Sequence, residues 1–301
     1  MSPMTVSRAL RNDRTVSAKT RERIQNVAQQ LGYVYDSTAQ AFRTQKSGFV
    51  AVTLPSINNA NFAETFRALT TGLEESGLQI LLGSTQYRVA REEELVRQLL
   101  TRNPEALVLT GGYHSKATRA LISGRGVPVI EMWDLPTAPL GHVVGFSNAE
   151  AMSHLVRHVF GAGRTKLAFV GASDGADLRG AARRAGVIDA ARQLGLPEVT
   201  MIDAGPAPVS MRHGTAAIEA FGKKVAEFDA LVCVSDPVAF GCLSACQRLG
   251  LSVPEDIAIT GFGHFEVAKI SNPRITTVDV RADRIGKCVA DLLEEIFADG
   301  P

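Results

Sequence analysis

The sequence predicts an α/β protein made of two doubly wound lobes behind a short, basic, all-helical head. Three observations carry this. From Gly48 onward, short apolar runs alternate with helical stretches. Most of those runs are continuous instead of alternating, as expected for parallel strands covered on both faces. Residues 1–47 show no such pattern, and they hold eight Lys and Arg against three Asp and Glu, a net of +5 on a chain whose total is +1. The 301 residues suit two to three domains.

The head reads as helices. Ser2 can cap a helix over 2–10, with Pro3 at the first helical position, where a missing N–H costs nothing. Val6, Ala9 and Leu10 form its inward side, leaving Met4, Thr5, Ser7 and Arg8 outside. A second helix follows over Ser17–Leu31, capped by Ser17, with Ile24, Val27, Ala28 and Leu31 on one stripe and Gly32 as its stop. A basic arm on a mildly acidic body suits a nucleic-acid head joined to a ligand domain.

The expected strands are Phe49–Leu54, Gln79–Gly83, Ala106–Thr110, Pro128–Met132, His142–Phe146, Lys166–Val170, Val199–Asp203, Ala230–Val234, Ile257–Gly261 and Ile275–Val280. About ten strands are too many for one comfortable sheet in a chain of this size, so two lobes are expected, divided near Gly161–Arg164. Between the strands, Asn61 with Glu64 marks a helix start that runs to Gly77, and Glu92–Arg102 puts Leu95, Leu99 and Leu100 at helical spacing. Leu178–Leu194 and Pro237–Leu249 each end at a glycine, Gly195 and Gly250. Repeated strand–helix alternation implies right-handed crossovers and parallel sheets.

No apolar run approaches the roughly 18–20 residues that span a bilayer, and the N-terminus lacks the apolar segment of a secretory signal. The expected compartment is the cytoplasm. Cys233, Cys242, Cys246 and Cys288 form no C-x-x-C pair and read as reduced core thiols.

At the level of motifs, SPMTVSRALRN, VSAKTRERI and AQQLGYVYDSTAQAFRTQKS stand in one order and spacing that resembles the helix-turn-helix head of the LacI/GalR repressor family. By that resemblance, residues 1–33 are a partial helix-turn-helix head whose chain opens just before the recognition helix, and 34–47 are a hinge. Pro3 and Met4 fall where the family varies its base-reading side chains, and Thr5, Ser7 and Arg8 where it holds phosphates and base edges. Arg8 would be the strongest reader, since arginine bridges guanine O6 and N7. Ser37–Arg43 resembles the hinge helix that enters the minor groove, with Phe42 as its apolar wedge where relatives usually carry Leu. Tyr35 and Asp36 depart from the family's usual residues, and an aspartate disfavours approach to phosphates. A recognition helix without its supporting helix is too short to stand alone. Residues 1–47 are therefore expected to be wholly or partly disordered, or packed differently, without DNA, and operator binding to fail at physiological salt.

The resemblance continues to the end of the chain through PSINNANFAE, VGFSN, VSDPVAFG and VPEDIAITGFG. It implies a two-lobed, periplasmic-binding-protein-like core of type I. Residues 48–163 with 281–301 would form the N-terminal lobe and 164–280 the C-terminal lobe. Relatives end with a further strand, whose absence here would leave a sheet edge open. Together with IEMWD, these runs look like the gluconate-operon repressor branch, which implies a sugar-acid effector. Arg183 matches the family arginine that reaches the ligand, and a guanidinium suits a carboxylate. Ser56, Ser235 and Asp236 lie after strand ends, where open α/β sheets bind ligands. Glu150 is expected in the loop beyond VGFSN, and His264 stands where many relatives carry an acid. The implied protein is a ligand-responsive repressor and not an enzyme. It would work as a homodimer on operator DNA, with no cofactor, no metal and no membrane partner.

Two other readings stand beside it. One is a soluble sugar sensor with no role on DNA. The other is a serine hydrolase built on Gly171-Ala-Ser173-Asp-Gly175, with His213 and His264 downstream. Its weakness is that 174–177 read as loop, whereas a nucleophile elbow turns straight into a helix. His154 and His158 share a helix face at a metal-binding spacing, but without the glutamate of a zincin motif.

Overall fold

The computed structural model describes residues 1–10, 13–33, 47–173 and 177–299. The chain divides into two compact units, 1–47 and 48–301.

In the first unit, α1 (Pro3–Leu10) and α2 (Ala18–Gln30) pack around Ala9, Val16 and Ile24, with Val6 and Leu10 against them. Ser2 Oγ accepts from the Thr5 amide at 3.2 Å, and Ser17 Oγ from the Thr20 amide at 3.4 Å, so both helices carry the expected serine caps. The described part of the head is thus folded as a helix pair. The two caps and the small apolar cluster supply the local contacts that short helices lack in isolation.

The second unit contains two five-stranded parallel sheets. The first joins β1 (Phe49–Leu54), β2 (Gln79–Ser84), β3 (Ala106–Thr110), β4 (Val129–Met132) and β5 (His142–Val144) in the order β2-β1-β3-β4-β5. The second joins β6 (Leu167–Gly171), β7 (Thr200–Asp203), β8 (Ala230–Cys233), β9 (Ala258–Phe262) and β10 (Thr276–Val278) in the order β10-β9-β8-β6-β7. Counted from its own first strand, each sheet has the same winding, with a switch of direction beside β1 in one and β6 in the other. Every residue of β3, β4, β6 and β8 is buried, which is why these strands read as unbroken apolar runs.

The helices are α3 (Ala60–Gly72), α4 (Val89–Leu100), α5 (Lys116–Ser123), α6 (Asn148–Gly161), α7 (Leu178–Gln193), α8 (Met211–Phe221), α9 (Asp236–Arg248), α10 (Glu266–Ile270) and α11 (Ala282–Asp299). Pairs of them pack closely: α11 on α3, α6 on α7, and α8 on α9. Glycine permits these approaches. A Cβ on Gly286 would collide with the Thr65 carbonyl, and one on Gly186 with that of Ala149. The pairing of α11 with α3, tied by Thr65 Oγ1 donating to the Ala282 carbonyl at 2.9 Å, returns the C-terminal helix to the first sheet.

Several boundaries differ from expectation. Helix α3 starts at Ala60 because Asn59, not Asn61, caps it, accepting from the Asn61 amide at 3.0 Å. Helix α4 starts at Val89, ahead of Glu92, since the intervening residues have no strong breaker. Asp177 occupies the N-cap position of α7 without a side-chain capping bond. Strand β5 stops at Val144 because Gly145 lies against the Asp134 backbone, too close for a further paired residue with a Cβ.

Candidate functional site

Between the carboxyl ends of the two sheets runs a cleft of three connected chambers. The outer one is lined by Thr85, Tyr87, Glu92, Gly111, Asp134, Asp177 and Arg179, among others. The middle one, about 440 Å³ and open to solvent, shares Tyr87, Asp177 and Arg179 with it and adds Asn59, Phe62, Arg183 and Ser235. The inner one holds Asn59, Asn61, Phe62, Trp133, Arg183, Ser235, Phe262 and Phe265. These positions follow β1, β3 and β4 of one sheet and β8 and β9 of the other. They are the ends at which doubly wound sheets present ligand sites, and the size suits a small molecule.

Arg183 is the central cation. It sits on α7, its Nε donates to Asn148 Oδ1 at 2.9 Å, and one terminal nitrogen donates to the Val234 carbonyl at 3.0 Å. Its guanidinium carbon lies 3.8 Å from the centre of the Phe262 ring, a cation–π contact. Burial lowers its pKa to about 10, partly offset by Asp177, so it stays charged at neutral pH. Two protein bonds leave spare N–H donors on a group that has five. Arg179, itself buried, lies 5.3 Å over the Phe62 ring and reaches Gly111 at the end of β3. Both arginines come from the helix of the second sheet and meet residues of the first.

An aromatic series crosses the cleft. Phe62 meets Trp133 edge-on at 5.2 Å, Trp133 meets Phe146 at 6.1 Å, and Phe146 stacks on Phe262 at 6.1 Å. Tyr87 has its phenol hydrogen-bonded to Asn59, and burial raises its pKa, so it remains a neutral donor.

Of the residues expected at the ligand, Arg183 and Ser235 line the cleft. Ser56 lies after β1, where its hydroxyl accepts from the Asn58 amide at 3.1 Å. Asp236 is fully buried, and its carboxylate is taken by the Phe265 amide at 2.7 Å and the Thr277 hydroxyl at 2.5 Å. Burial nonetheless raises its pKa, more than these bonds lower it. Glu150 stands in the first turn of α6 and not in a loop, with its side chain 73% exposed. His264 has a positive φ of 57° and pairs with Asp279 at 3.2 Å. None of Ser56, Asp236, Glu150 and His264 is among the lining residues. Sequence reasoning missed Tyr87, Trp133, Asn148, Asp177 and Arg179.

On the head, Pro3, Met4 and Arg8 are exposed, while Thr5 and Ser7 are half-buried. Thr5 shares its hydroxyl with Ser2 at 3.0 Å. Phe42 and the hinge segment lie outside the described residues.

The rival chemistries lack their geometry. The Ser173 hydroxyl is bonded to Asp203, whose carboxyl is held below the usual range first by the Gly205 amide and then by that hydroxyl. His213 Nδ1 is bonded to Ser210 at 2.8 Å, His264 to Asp279, and α7 begins only at Leu178. His154 and His158 are exposed, and the described residues contain no group of three side chains able to hold a metal. Among the described residues, no helix is long and apolar enough to cross a membrane.

Comparison with known proteins bears on both units. Residues 1–36 match the family model of bacterial regulatory proteins of the lacI family, and 156–301 match a periplasmic binding protein-like domain. The chain is 31% identical to the HTH-type transcriptional regulator GntR of Pseudomonas aeruginosa over 298 residues, 99% of this chain and 86% of that protein. Among solved structures, a LacI family transcriptional regulator from Silicibacter pomeroyi aligns at 42% identity with a TM-score of 0.79, covering 83% of this chain and 92% of the other. A second regulator from that organism aligns over 99% of this chain and 90% of its own at 29% identity, TM-score 0.92.

Proposed function

This chain belongs to the LacI family and is a ligand-responsive, DNA-binding transcriptional regulator; we propose that its effector is a small sugar acid such as gluconate, held in the cleft by Arg183. The observation that carries this is a charged guanidinium between the sheets with donors left over. A carboxylate is the partner that two-pronged donor geometry favours. Around it, Asn59, Ser235, Tyr87, Asp134 and Asp177 offer the mixed donors and acceptors that hydroxyl groups require.

The reading extends to the rest of the chain. The head, residues 1–33, reads operator DNA with Pro3, Met4, Thr5, Ser7 and Arg8. Residues 34–47 act as the hinge, with Phe42 as its wedge. Residues 48–163 with 281–301, and 164–280, are the two lobes. Two copies act together in the cytoplasm, since paired heads read paired half-sites. Effector binding favours one angle between the lobes, and the preferred angle decides whether the hinge docks on DNA.

Titration calorimetry against a panel of sugar acids and their neutral parent sugars tests the proposal. Gluconate or a close relative should bind, the neutral sugars should bind far more weakly, and Arg183→Ala should abolish the difference. Equal affinity for acids and neutral sugars in the unaltered protein would overturn it.

A further inference from the structure

Trp133 holds a donor that none of the described residues uses. It follows β4, its amide continues the ladder onto the Val144 carbonyl at 3.0 Å, and its own carbonyl accepts from Asn148 Nδ2 at 3.3 Å. Its φ is 76°, a left-handed conformation that a bulky side chain rarely adopts. The side chain is 2% exposed and wedged edge-on between Phe62 and Phe146, so the ring cannot turn to find another environment. Its Nε1 is buried with no hydrogen-bond partner among the described residues.

An indole N–H can only donate, and a buried donor left unpaired is destabilising. The ring lines the inner chamber together with Arg183, Ser235, Asn59 and Asn61. Toward the outer and middle chambers the unused group has the opposite sense: Asp177 Oδ1, also buried and unpartnered, is an acceptor, and Asp134 and Glu92 line the same stretch. The unpartnered groups therefore differ in sense along the cleft, a donor at the inner end and an acceptor farther out.

We infer that Trp133 is an effector-binding residue whose indole N–H donates to the carboxylate of the sugar acid beside Arg183. The hydroxyl tail then lies toward Asp177 and Asp134, where it can donate. This deepens the sugar-acid reading and rests on it. The strained backbone and the Asn148 bond hold the residue in place beside the inner chamber.

The test uses the full chain, in which Trp133 is the sole tryptophan. Intrinsic fluorescence of the unaltered protein should change in intensity or emission maximum as gluconate is added, saturating with the calorimetric isotherm. Trp133→Phe keeps the aromatic packing and removes the N–H. Gluconate affinity should fall roughly 10- to 100-fold, the range for a bond to a charged partner. Calorimetric binding with flat fluorescence, or a loss below about three-fold in Trp133→Phe, overturns the inference while leaving the sugar-acid reading intact. Failure of every sugar acid to bind the unaltered protein overturns both.

Discussion

Asn148 Oδ1 accepts from Arg183 Nε at 2.9 Å, and this bond joins the start of α6 to the middle of α7. The same amide donates from Nδ2 to the Trp133 carbonyl at 3.3 Å. One buried side chain, 1% exposed, thus holds a cation from the second sheet's helix and the strained turn after β4 in the first sheet. Replacing it with alanine removes both bonds at once and leaves Arg183 Nε unpaired. Asn148→Ala should lower stability by about 1–3 kcal/mol, the cost of an unsatisfied buried group. It should also weaken effector binding while sparing the fold of the head. A shift of the urea midpoint with an unchanged slope, alongside calorimetry, checks both effects. Unchanged effector affinity would mean that Arg183 needs no such support.

That bond also marks what was legible in the sequence. The central strands could be read directly because β3, β4, β6 and β8 are buried on both faces and carry no polar interruption. Ser235 and Arg183 were visible for different reasons: one follows a strand, and the other matched a family position. Asp236 is adjacent to Ser235, yet the first turn of α9 carries it inward to Phe265 and Thr277. Adjacency in sequence says nothing about which way a helix turns its first residues. Asn148 reads as an ordinary polar residue at a helix start, and its role exists only because α6 and α7 approach closely at Gly186. Trp133 needs a positive φ to face the cleft, and no periodicity encodes that. A lone tryptophan directly after a strand, followed by an aspartate, was the one available hint.

The close approach at Gly186 is itself testable. A Cβ there meets the Ala149 backbone carbonyl, carbon and α-carbon, none of which can swing aside as a side chain would. Gly186→Ala normally gains helix propensity, about 1 kcal/mol. Here overpacking should reverse the sign, with a net loss of about 1–3 kcal/mol. Thermal or urea unfolding decides it. A gain in stability would show that the two helices can move apart at little cost.

The first sheet contains a buried ionic cluster away from Arg183. His114 Nδ1 lies 2.7 Å from Glu92 and Nε2 3.2 Å from Glu131, with the His114 side chain wholly buried. Burial alone would lower the imidazole pKa, but the adjoining carboxylates of Glu131 and Glu92 outweigh it and raise it to about 9. Because the folded value lies above the unfolded 6.5, the proton favours the folded state. The stabilisation is complete below about pH 6.5 and is lost as pH rises through 9. Its size is at most about 3 kcal/mol. Urea midpoints measured between pH 6 and 10 should fall across that window, and His114→Gln should flatten this part of the profile. An equal fall in His114→Gln would assign the effect to other groups.

The thiols should divide by access. Cys233, Cys242 and Cys246 are fully buried, and burial pushes the Cys246 thiol to about 12 and that of Cys233 well above its usual value. Only Cys288 is partly exposed. Thiolates are the reactive form, so a disulfide reagent should label Cys288 in the native protein and the other three only after denaturation. Rapid labelling of all four without denaturant would contradict the burial seen around β8 and α9.

The exposed guanidinium of Arg8 gives the clearest prediction for DNA. It stands near the end of α1, opposite the buried Ala9 and the apolar contact with α2, so nothing in the described head competes for it. A base-reading arginine and a phosphate-binding one differ in what their loss does. If Arg8 reads a guanine, Arg8→Ala should cost roughly 1–3 kcal/mol on the preferred operator and remove discrimination at one position. If it only neutralises a phosphate, affinity should fall evenly across sequences and the salt dependence should shallow by about one ion. Gel-retardation series on an operator and its single-base variants, each at several salt concentrations below the physiological, separate the two. We expect the first pattern, because Pro3 and Met4 share the exposed side of the helix and leave Arg8 as its only charged donor.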